Sequence, residues 1–378
     1  MPKHTFDALL DEWSLPVRSN FDVTSIDVLV PTFRCDPVPL RAIQEAVRRS
    51  PGARLIVVAD DPTSPRLEEV TALEAFDTRV RVNAANRGAS ATRNRLLEEA
   101  TAPAVLFLDD DVEVAPDTVL RYAWAMAVSE FDACGLVGRV VFPPSPDPWH
   151  QATRLSGITL AFDWPDGAFG ASEVVPWGVT ASLCVWRRFA VDFDVDYAKT
   201  GGGEDVDFCL RVAQRAGRPW ARARDAVARH PFWHRDSTVD GTIKYLAHFF
   251  KWTQGDGLLL DKFPEHVYLN LPNVVELTIP VALLLGLRAL VVLWLVELAC
   301  EAQAVWTDER PVAALLSGVV KNVVDAGHAW YWIRRGRVGM LCARFDWFCG
   351  VTDAVVVGER RKFAQRCLLW AVALWASR

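Results

Sequence analysis

The stretch VLFLDDD, at residues 105–111, places four apolar residues directly before three carboxylates. A short continuous apolar run is typical of a buried strand in a parallel sheet. Ligands of open α/β sheets bind beyond the carboxyl ends of the strands, which is where Asp109, Asp110 and Asp111 fall. Because packed carboxylates repel one another, the cluster indicates either an Asp-rich turn or a site for a hard divalent cation such as Mg²⁺ or Mn²⁺.

Strand and helix patterns alternate before and after this stretch. Apolar runs predict four strands, at 26–33, 53–61, 79–85 and 103–111. Helical patterns lie between and beyond them, at 39–50, 66–76, 89–100, 117–129 and 204–216. This alternation predicts an α/β fold, a Rossmann-like and mostly parallel sheet flanked by helices.

Helical patterns dominate after Asp236, so three regions are expected: an N-terminal extension at 1–22, an α/β domain at 23–235 and a mainly helical region at 236–378. The nearly continuous apolar run from Leu277 to Val296 is long enough to span a bilayer. Pro280, Gly286 and Arg288 interrupt it, which favours a helix lying in the membrane interface or buried in the protein.

Charge and cysteine content limit the class of protein. A net charge of −6 argues against a role that depends mainly on nucleic-acid binding. The segment from Trp330 onward is locally basic, which suits an anionic membrane surface or a solvated helical face. Eight scattered cysteines favour a reducing cytosol, and the N-terminal residues show no apolar segment typical of a signal peptide. We therefore expect a cytoplasmic protein.

A second acidic site, Glu204 and Asp205, follows a run of three glycines at the start of a predicted helix. Two simpler metal-binding classes do not fit the sequence. An EF-hand loop beginning at Asp109 needs Gly at its sixth position, where Val114 stands. A phosphorylation receiver domain would be near its end by about residue 140, before this second site.

Four segments, in order, resemble the motifs of family 2 glycosyltransferases, which have a GT-A fold. They are VLVPTFRCDPVPLRAIQEAV (28–47), VVADDPTS (57–64), NRGASATRNRLLEEATAPAVLFLDDDVEVAPD (86–117) and FDVDYAKTGGGEDVDFCLRV (193–212). The resemblance covers roughly residues 26 to 235. It implies a metal-dependent enzyme that takes sugar from a nucleotide-sugar donor.

The resemblance implies a donor site around the first acidic cluster. Asp109 and Asp111 correspond to the outer acids of the DxD motif. Asp111 would bind the metal that bridges the donor diphosphate, and Asp109 would contact the ribose or its surroundings beside that metal. The other residues implied in nucleotide or phosphate binding are Pro31, Thr32, Arg34, Asp60, Asp61, Arg87, Arg93 and Asp110.

The resemblance also implies an acceptor side and a third metal ligand. Asp205 corresponds to the catalytic base, and Glu204 would bind the acceptor or orient the loop. The family places a histidine ligand after this helix, and both His230 and His234 fit that position. His230 follows an apolar run and is the preferred candidate.

Two departures from the family pattern refine the expectation. Pro62 replaces the Gly of the VDDGS motif, which stiffens that turn. The QxxRW motif of the processive polysaccharide synthases does not follow the second acidic site. The C-terminal segment instead resembles the helical tail of non-processive members that work at membranes.

The expected activity is inverting transfer of a sugar from a UDP-, GDP- or dTDP-sugar to a hydroxyl on a glycan or lipid. The expected location is the cytoplasmic face of a membrane, as a peripheral or monotopic protein, or otherwise the cytoplasm. Two alternatives remain. A non-catalytic sugar-nucleotide or glycan-binding module would not need the base at Asp205, and a nucleotidyltransferase would carry a Gly-rich, basic loop that VPTFRCDP lacks.

Overall fold

The computed structural model describes residues 24–129, 132–162, 174–199 and 202–350, together with 363–365, 367, 368, 371 and 375. Contacts divide the chain into two units. The first comprises 1–143, 161–198 and 204–232, and the second 144–160, 199–203 and 233–378. The predicted boundary at 235 lies next to Trp233, where the long C-terminal part of the second unit begins. The predicted extension at 1–22 lies outside the described residues.

Strands and helices alternate through the first third of the chain. The strands are β1 (Ile26–Thr32), β2 (Arg54–Ala59), β3 (Thr78–Val82), β4 (Ala104–Leu108), β5 (Glu113–Val114), β6 (Gly135–Val141), β7 (Val174–Val175), β8 (Ser182–Trp186), β9 (Trp220–Arg229), β10 (Val267–Leu269) and β11 (Ala343–Phe345). The helices are α1 (Pro37–Arg48), α2 (Leu67–Thr71), α3 (Ala89–Glu99), α4 (Thr118–Ser129), α5 (Pro148–Leu155), α6 (Glu204–Ala216), α7 (Val239–Trp252), α8 (Gln254–Lys262), α9 (Thr278–Leu284), α10 (Gly286–Ala304) and α11 (Pro311–Arg334).

The first unit is built on one mixed sheet with the strand order β3-β2-β1-β4-β8-β6-β9-β5, and β7 also pairs with β9. Strands β1 to β4 pair in parallel, as the alternating pattern predicts. Strand β8 runs antiparallel to both β4 and β6, while β6 and β9 are parallel. All five residues of β4 are buried, which explains its uninterrupted apolar sequence.

An aromatic cluster fixes helix α6 against the sheet. Phe193 and Phe208 stack with their ring centroids 4.2 Å apart, and Phe107 of β4 meets both rings edge-on at 5.4 and 5.8 Å. Edge-to-face and stacked rings are favourable geometries for buried aromatic side chains. Because α6 begins at Glu204, this packing holds the second acidic site near the end of β4.

The second unit is mainly helical. One cluster of buried residues joins α5, α7 and α11 through Ala152, Tyr245, Phe249, Val320 and Val324. A second joins α9 and α10, and strands β10 and β11 form an antiparallel pair.

The apolar run from Leu277 to Val296 is not one helix. It breaks between α9 and α10, where Gly286 adopts a positive φ of 84°, a conformation that side chains with a Cβ rarely adopt. Within the described part of the chain, no helix has the length and apolar character needed to cross a membrane.

Candidate active site

The acidic cluster after β4 contacts the end of β1. Thr32 Oγ1 donates to Asp110 Oδ2 at 2.6 Å. Arg34 Nη1 lies 2.8 Å from Asp110 Oδ1 and 2.7 Å from Asp111 Oδ2. The middle acid of the motif therefore ties the loop after β1 to the loop after β4, two of the loops at the carboxyl edge of the parallel strands.

Asp109, Asp111 and His230 form a group with metal-binding geometry. One ligand atom from each residue lies within 4.8 Å of the other two. Asp111 Oδ1 is buried and has no hydrogen-bond partner among the described residues. It lies 3.6 Å from His230 Nε2. A buried carboxylate oxygen without a donor is costly, and a cation would remove that cost.

The tautomer of His230 also suits a metal ligand. His230 follows the end of β9, and its Nδ1 lies 2.6 Å from the carbonyl oxygen of Pro231. A carbonyl can only accept, so Nδ1 carries the proton and Nε2 is the acceptor nitrogen. Two acceptors, Nε2 and Asp111 Oδ1, thus lie close together, which fits a bridging cation. His234 falls in the second unit and outside this group.

Asp60 organises the loop after β3. Its carboxylate accepts from Asn83 Nδ2 at 2.6 Å and from the main-chain N–H groups of Arg87 and Gly88, each at 2.9 Å. The main-chain N–H of Asp60 donates to the carbonyl of Thr32, next to the first acidic cluster. Arg87 contributes its main chain here while its side chain is exposed. Asn83 was not singled out by the sequence, although it directly follows a predicted strand.

Asp61 shapes the neighbouring turn. Its Oδ1 accepts from the main-chain N–H of Thr63 at 2.9 Å and from the Thr63 hydroxyl at 2.7 Å. This is an Asx turn, in which a side chain replaces a main-chain acceptor. Pro31 lies within β1, in register with Val58 of β2.

Arg93 joins the two acidic sites. Its side chain is only 7% exposed, and its Nη2 donates to Asp109 Oδ1 at 3.3 Å. Its Nη1 donates to Glu204 Oε1 at 3.1 Å and lies 3.9 Å from Asp205 Oδ1. Burial lowers the pKa of Arg93, but these carboxylates outweigh burial and keep the pKa above its ordinary value. The sequence interpretation placed Arg93 on nucleotide or phosphate, whereas its contacts here are carboxylates.

Asp205 is half-buried and lies among other charged side chains. Thr180 donates to it twice, from its hydroxyl at 3.0 Å and from its main-chain N–H at 3.3 Å. Burial, followed by the nearby negative charge of Glu204, raises the pKa of Asp205 to about 7, although Arg93 opposes this shift. A carboxylate with a pKa near neutral can both accept and release a proton at physiological pH. Perturbed groups of this kind are concentrated in functional sites.

The first unit thus has an α/β sheet with acids beyond its parallel strands and an acidic pair that opens a later helix. Residues 27–182 match the model of the family described as Glycosyl transferase family 2. No curated protein matches the sequence.

Solved structures of glycosyltransferases are similar to the chain as well. The mannosyltransferase PcManGT from Pyrobaculum calidifontis, in complex with GDP-Man and Mn²⁺, is 15% identical with a TM-score of 0.48, over 84% of this chain and 93% of that one. S. aureus TarS 1–349, in complex with UDP-GlcNAc, is 15% identical with a TM-score of 0.44, over 83% and 92%.

Proposed function

We propose that the protein is an inverting, divalent-metal-dependent glycosyltransferase that moves a sugar from a UDP-, GDP- or dTDP-sugar to a hydroxyl acceptor. The observation that carries the proposal is the contact of one buried guanidinium, that of Arg93, with acids of both sites. This contact places the candidate metal ligand Asp109 close to the candidate base Asp205. Displacement at the anomeric carbon needs a metal at the diphosphate and a base at the acceptor hydroxyl. Both groups therefore have to lie within the length of one bound donor.

The residues that would hold the metal are Asp109, Asp111 and His230. Two carboxylates and an imidazole leave positions for diphosphate oxygens, and their hard oxygen donors suit Mn²⁺ or Mg²⁺. When bound, the ion supplies Lewis-acid stabilisation of the charge that develops on the departing diphosphate. Arg34, paired with Asp110 and Asp111, adds a cation beside the same position.

In the transfer step, Asp205 takes the proton from the acceptor hydroxyl. The acceptor oxygen forms a bond to the anomeric carbon while the bond from that carbon to the diphosphate oxygen breaks. The nucleoside diphosphate leaves with the electron pair. A single displacement with attack opposite the leaving group inverts the anomeric centre. Glu204 and Thr180 keep the Asp205 carboxylate in place, the first through Arg93 and the second by direct hydrogen bonds.

The acceptor that we propose is a lipid-linked or membrane-proximal glycan at the cytoplasmic face of a membrane. Support comes from the second unit, in which Arg334, Arg335 and Arg337 are all exposed at the end of α11. Basic side chains in this density favour a surface rich in anionic headgroups.

The test is nucleoside diphosphate release from UDP-, GDP- and dTDP-sugars in the presence of alkyl glycoside acceptors and Mn²⁺. We expect one donor class to be consumed and the Asp205→Asn variant to lose about 10²- to 10⁴-fold in rate. The variant should still bind donor. Donor binding without turnover in the unmodified protein would instead favour the non-catalytic binding module.

A further inference from the structure

Helices α9 and α10 carry an exposed aliphatic stripe. In α10, Leu287, Val291 and Leu295 are spaced four residues apart and are 71%, 50% and 64% exposed. In α9, Leu283 and Leu284 are 79% and 81% exposed. Side chains at i and i+4 share one helix face, so the α10 members form a continuous row. We call these five residues the aliphatic stripe.

Among the described residues of the second unit, neither buried apolar cluster includes a member of the stripe. The opposite side of α10 packs into the protein through Ala289, Leu290 and Leu293, which are buried with Val274 and Val281. The helix pair therefore has one apolar side that meets the protein core and another that meets solvent. Exposed aliphatic side chains that cluster on neighbouring helices often mark an interaction site.

The charge around the stripe indicates its partner. The segment 277–296 contains no acidic residue and one base, Arg288, which is exposed next to Leu287. An aliphatic row with a neighbouring arginine and no carboxylate complements anionic headgroups above a hydrocarbon layer. The stripe itself consists of leucine and valine, which are under-represented in protein–protein hot spots.

The dimensions of the helices favour a surface position over a spanning one. Helix α9 has 7 residues and α10 has 19, with a break between them at Leu285. At 1.5 Å per residue the row from Leu287 to Leu295 extends about 12 Å, far less than a hydrocarbon core. A helix pair that packs one apolar side on the protein can lie along the interface and bury its exposed apolar side in the boundary of headgroups and acyl chains.

We propose that the aliphatic stripe of α9 and α10, together with Arg288, is a monotopic docking surface for an anionic lipid bilayer. The proposal deepens, and rests on, the proposed work at a membrane face. It assigns membrane attachment to these two helices, and it gives Arg288 the role of contacting the headgroups while its stem lies against the bilayer.

The experiment is vesicle flotation of the full chain, with phosphatidylcholine vesicles made with or without phosphatidylglycerol. The stripe variant is Leu287→Gln/Val291→Gln/Leu295→Gln. Its matched control changes three exposed apolar residues elsewhere, Phe76→Gln/Val128→Gln/Val239→Gln. Thermal melts of both variants check that each remains folded, and light scattering measures their oligomeric state.

We expect the unmodified chain and the control variant to float with phosphatidylglycerol vesicles and the stripe variant to stay in solution. Arg288→Gln should reduce flotation and its sensitivity to salt. Equal flotation of the stripe variant, or no flotation of the unmodified chain, would overturn the proposal. An oligomer that the stripe variant dissociates would assign the stripe to a second copy of the chain instead.

Transfer to a soluble alkyl glycoside separates the two proposals. The stripe variant should keep the unmodified rate there, since none of its changes lies in the candidate active site. Stripe-dependent flotation in a chain that transfers no sugar would keep the docking surface and reject the glycosyltransferase. Full transfer without flotation would keep the glycosyltransferase and reject the docking surface.

Discussion

Asp205 owes its candidate role to its surroundings rather than to its own chemistry. A carboxyl group in water is ionised well below neutral pH and is a weak base there. Burial and the adjacent Glu204 raise the pKa of Asp205 to about 7, while two donors from Thr180 keep its orientation fixed. The residue therefore combines useful basicity with a defined direction.

The pH dependence of transfer should follow the ionisation of Asp205. The base must be deprotonated, so its active fraction rises as the pH increases through about 7. We expect kcat/KM to rise with pH across that value and to level off above it. Initial rates in buffers of constant ionic strength measure this, and the Asp205→Asn variant should show no such rise in its residual rate. A rate that is constant across neutral pH would contradict the assignment.

Arg93 should set the position of that ionisation. Its positive charge lowers the pKa of Asp205, so its removal in Arg93→Met should move the rising limb of the profile to higher pH. Arg93→Lys keeps the positive charge but loses the planar guanidinium. It should therefore bring the rising limb only part of the way back to its position in the unmodified protein. The unmodified profile in Arg93→Met would show that the guanidinium serves only to pack the site.

The two histidines can be separated by a matched pair of variants. His230→Gln should weaken Mn²⁺ binding by about 10- to 100-fold or more, because it removes an imidazole aimed at the Asp111 site, whereas His234→Gln should leave it unchanged. Titration of Mn²⁺ followed by calorimetry gives both affinities. Weakening in the His234 variant alone would transfer the ligand role to that residue.

For single residues of the candidate site, the sequence predicted the residue types but not the side chains that they contact. The acids at 109–111 and 204–205 were evident because they interrupt apolar or Gly-rich sequence. The contact between Arg93 and Glu204 joins residues 111 positions apart, and only the folded sheet brings them together. Asn83 and Thr180 carry no local signal beyond their polarity. Their importance comes from the carboxylates that they contact.

Among the elements, β6 depends on a glycine. An added Cβ at Gly135 would lie 2.4 Å from the carbonyl oxygen of Cys184 and 2.5 Å from the Trp220 ring, both in neighbouring strands. Gly135→Ala should therefore lower the free energy of unfolding by about 1–3 kcal/mol. Gly339→Ala is the control, since nothing lies within 4 Å of its added Cβ. Chemical denaturation measures both, and equal stabilities would mean that β6 can separate from its neighbours.

The elements that were predicted correctly are those with strong local patterns. Strands β1, β2 and β4 consist mainly of apolar runs, and β3 alternates valine with arginine. The sheet pairs all four in parallel as expected. Strands β6 and β8 were not predicted. GLVGRVV is interrupted by Gly138, and SLCVW lies outside the regular alternation of strands and helices. Their antiparallel pairing depends on contacts distant in sequence, which periodicity does not encode.

In the whole molecule, the two units carry different parts of the proposed function. The first unit contains the candidate metal ligands and base, and the second contains the exposed basic and aliphatic surfaces. The change of sequence character near Asp236 lies close to Trp233, where the long C-terminal part of the second unit begins. It did not reveal that 144–160 belongs with the later helices, because the packing of α5 against α7 and α11 is a tertiary contact.

The central claim is that Asp109, Asp111 and His230 hold a divalent metal that binds a nucleoside diphosphate. The most direct measurement is the thermal melt of the purified protein with UDP, GDP or dTDP, each with Mn²⁺ or EDTA, compared with Asp111→Asn. A ligand that binds the native state raises the melting temperature by mass action. We predict a rise with one nucleotide that EDTA and Asp111→Asn both abolish. A folded protein that shows no rise with any nucleotide and Mn²⁺, or the same rise in EDTA, would contradict the claim.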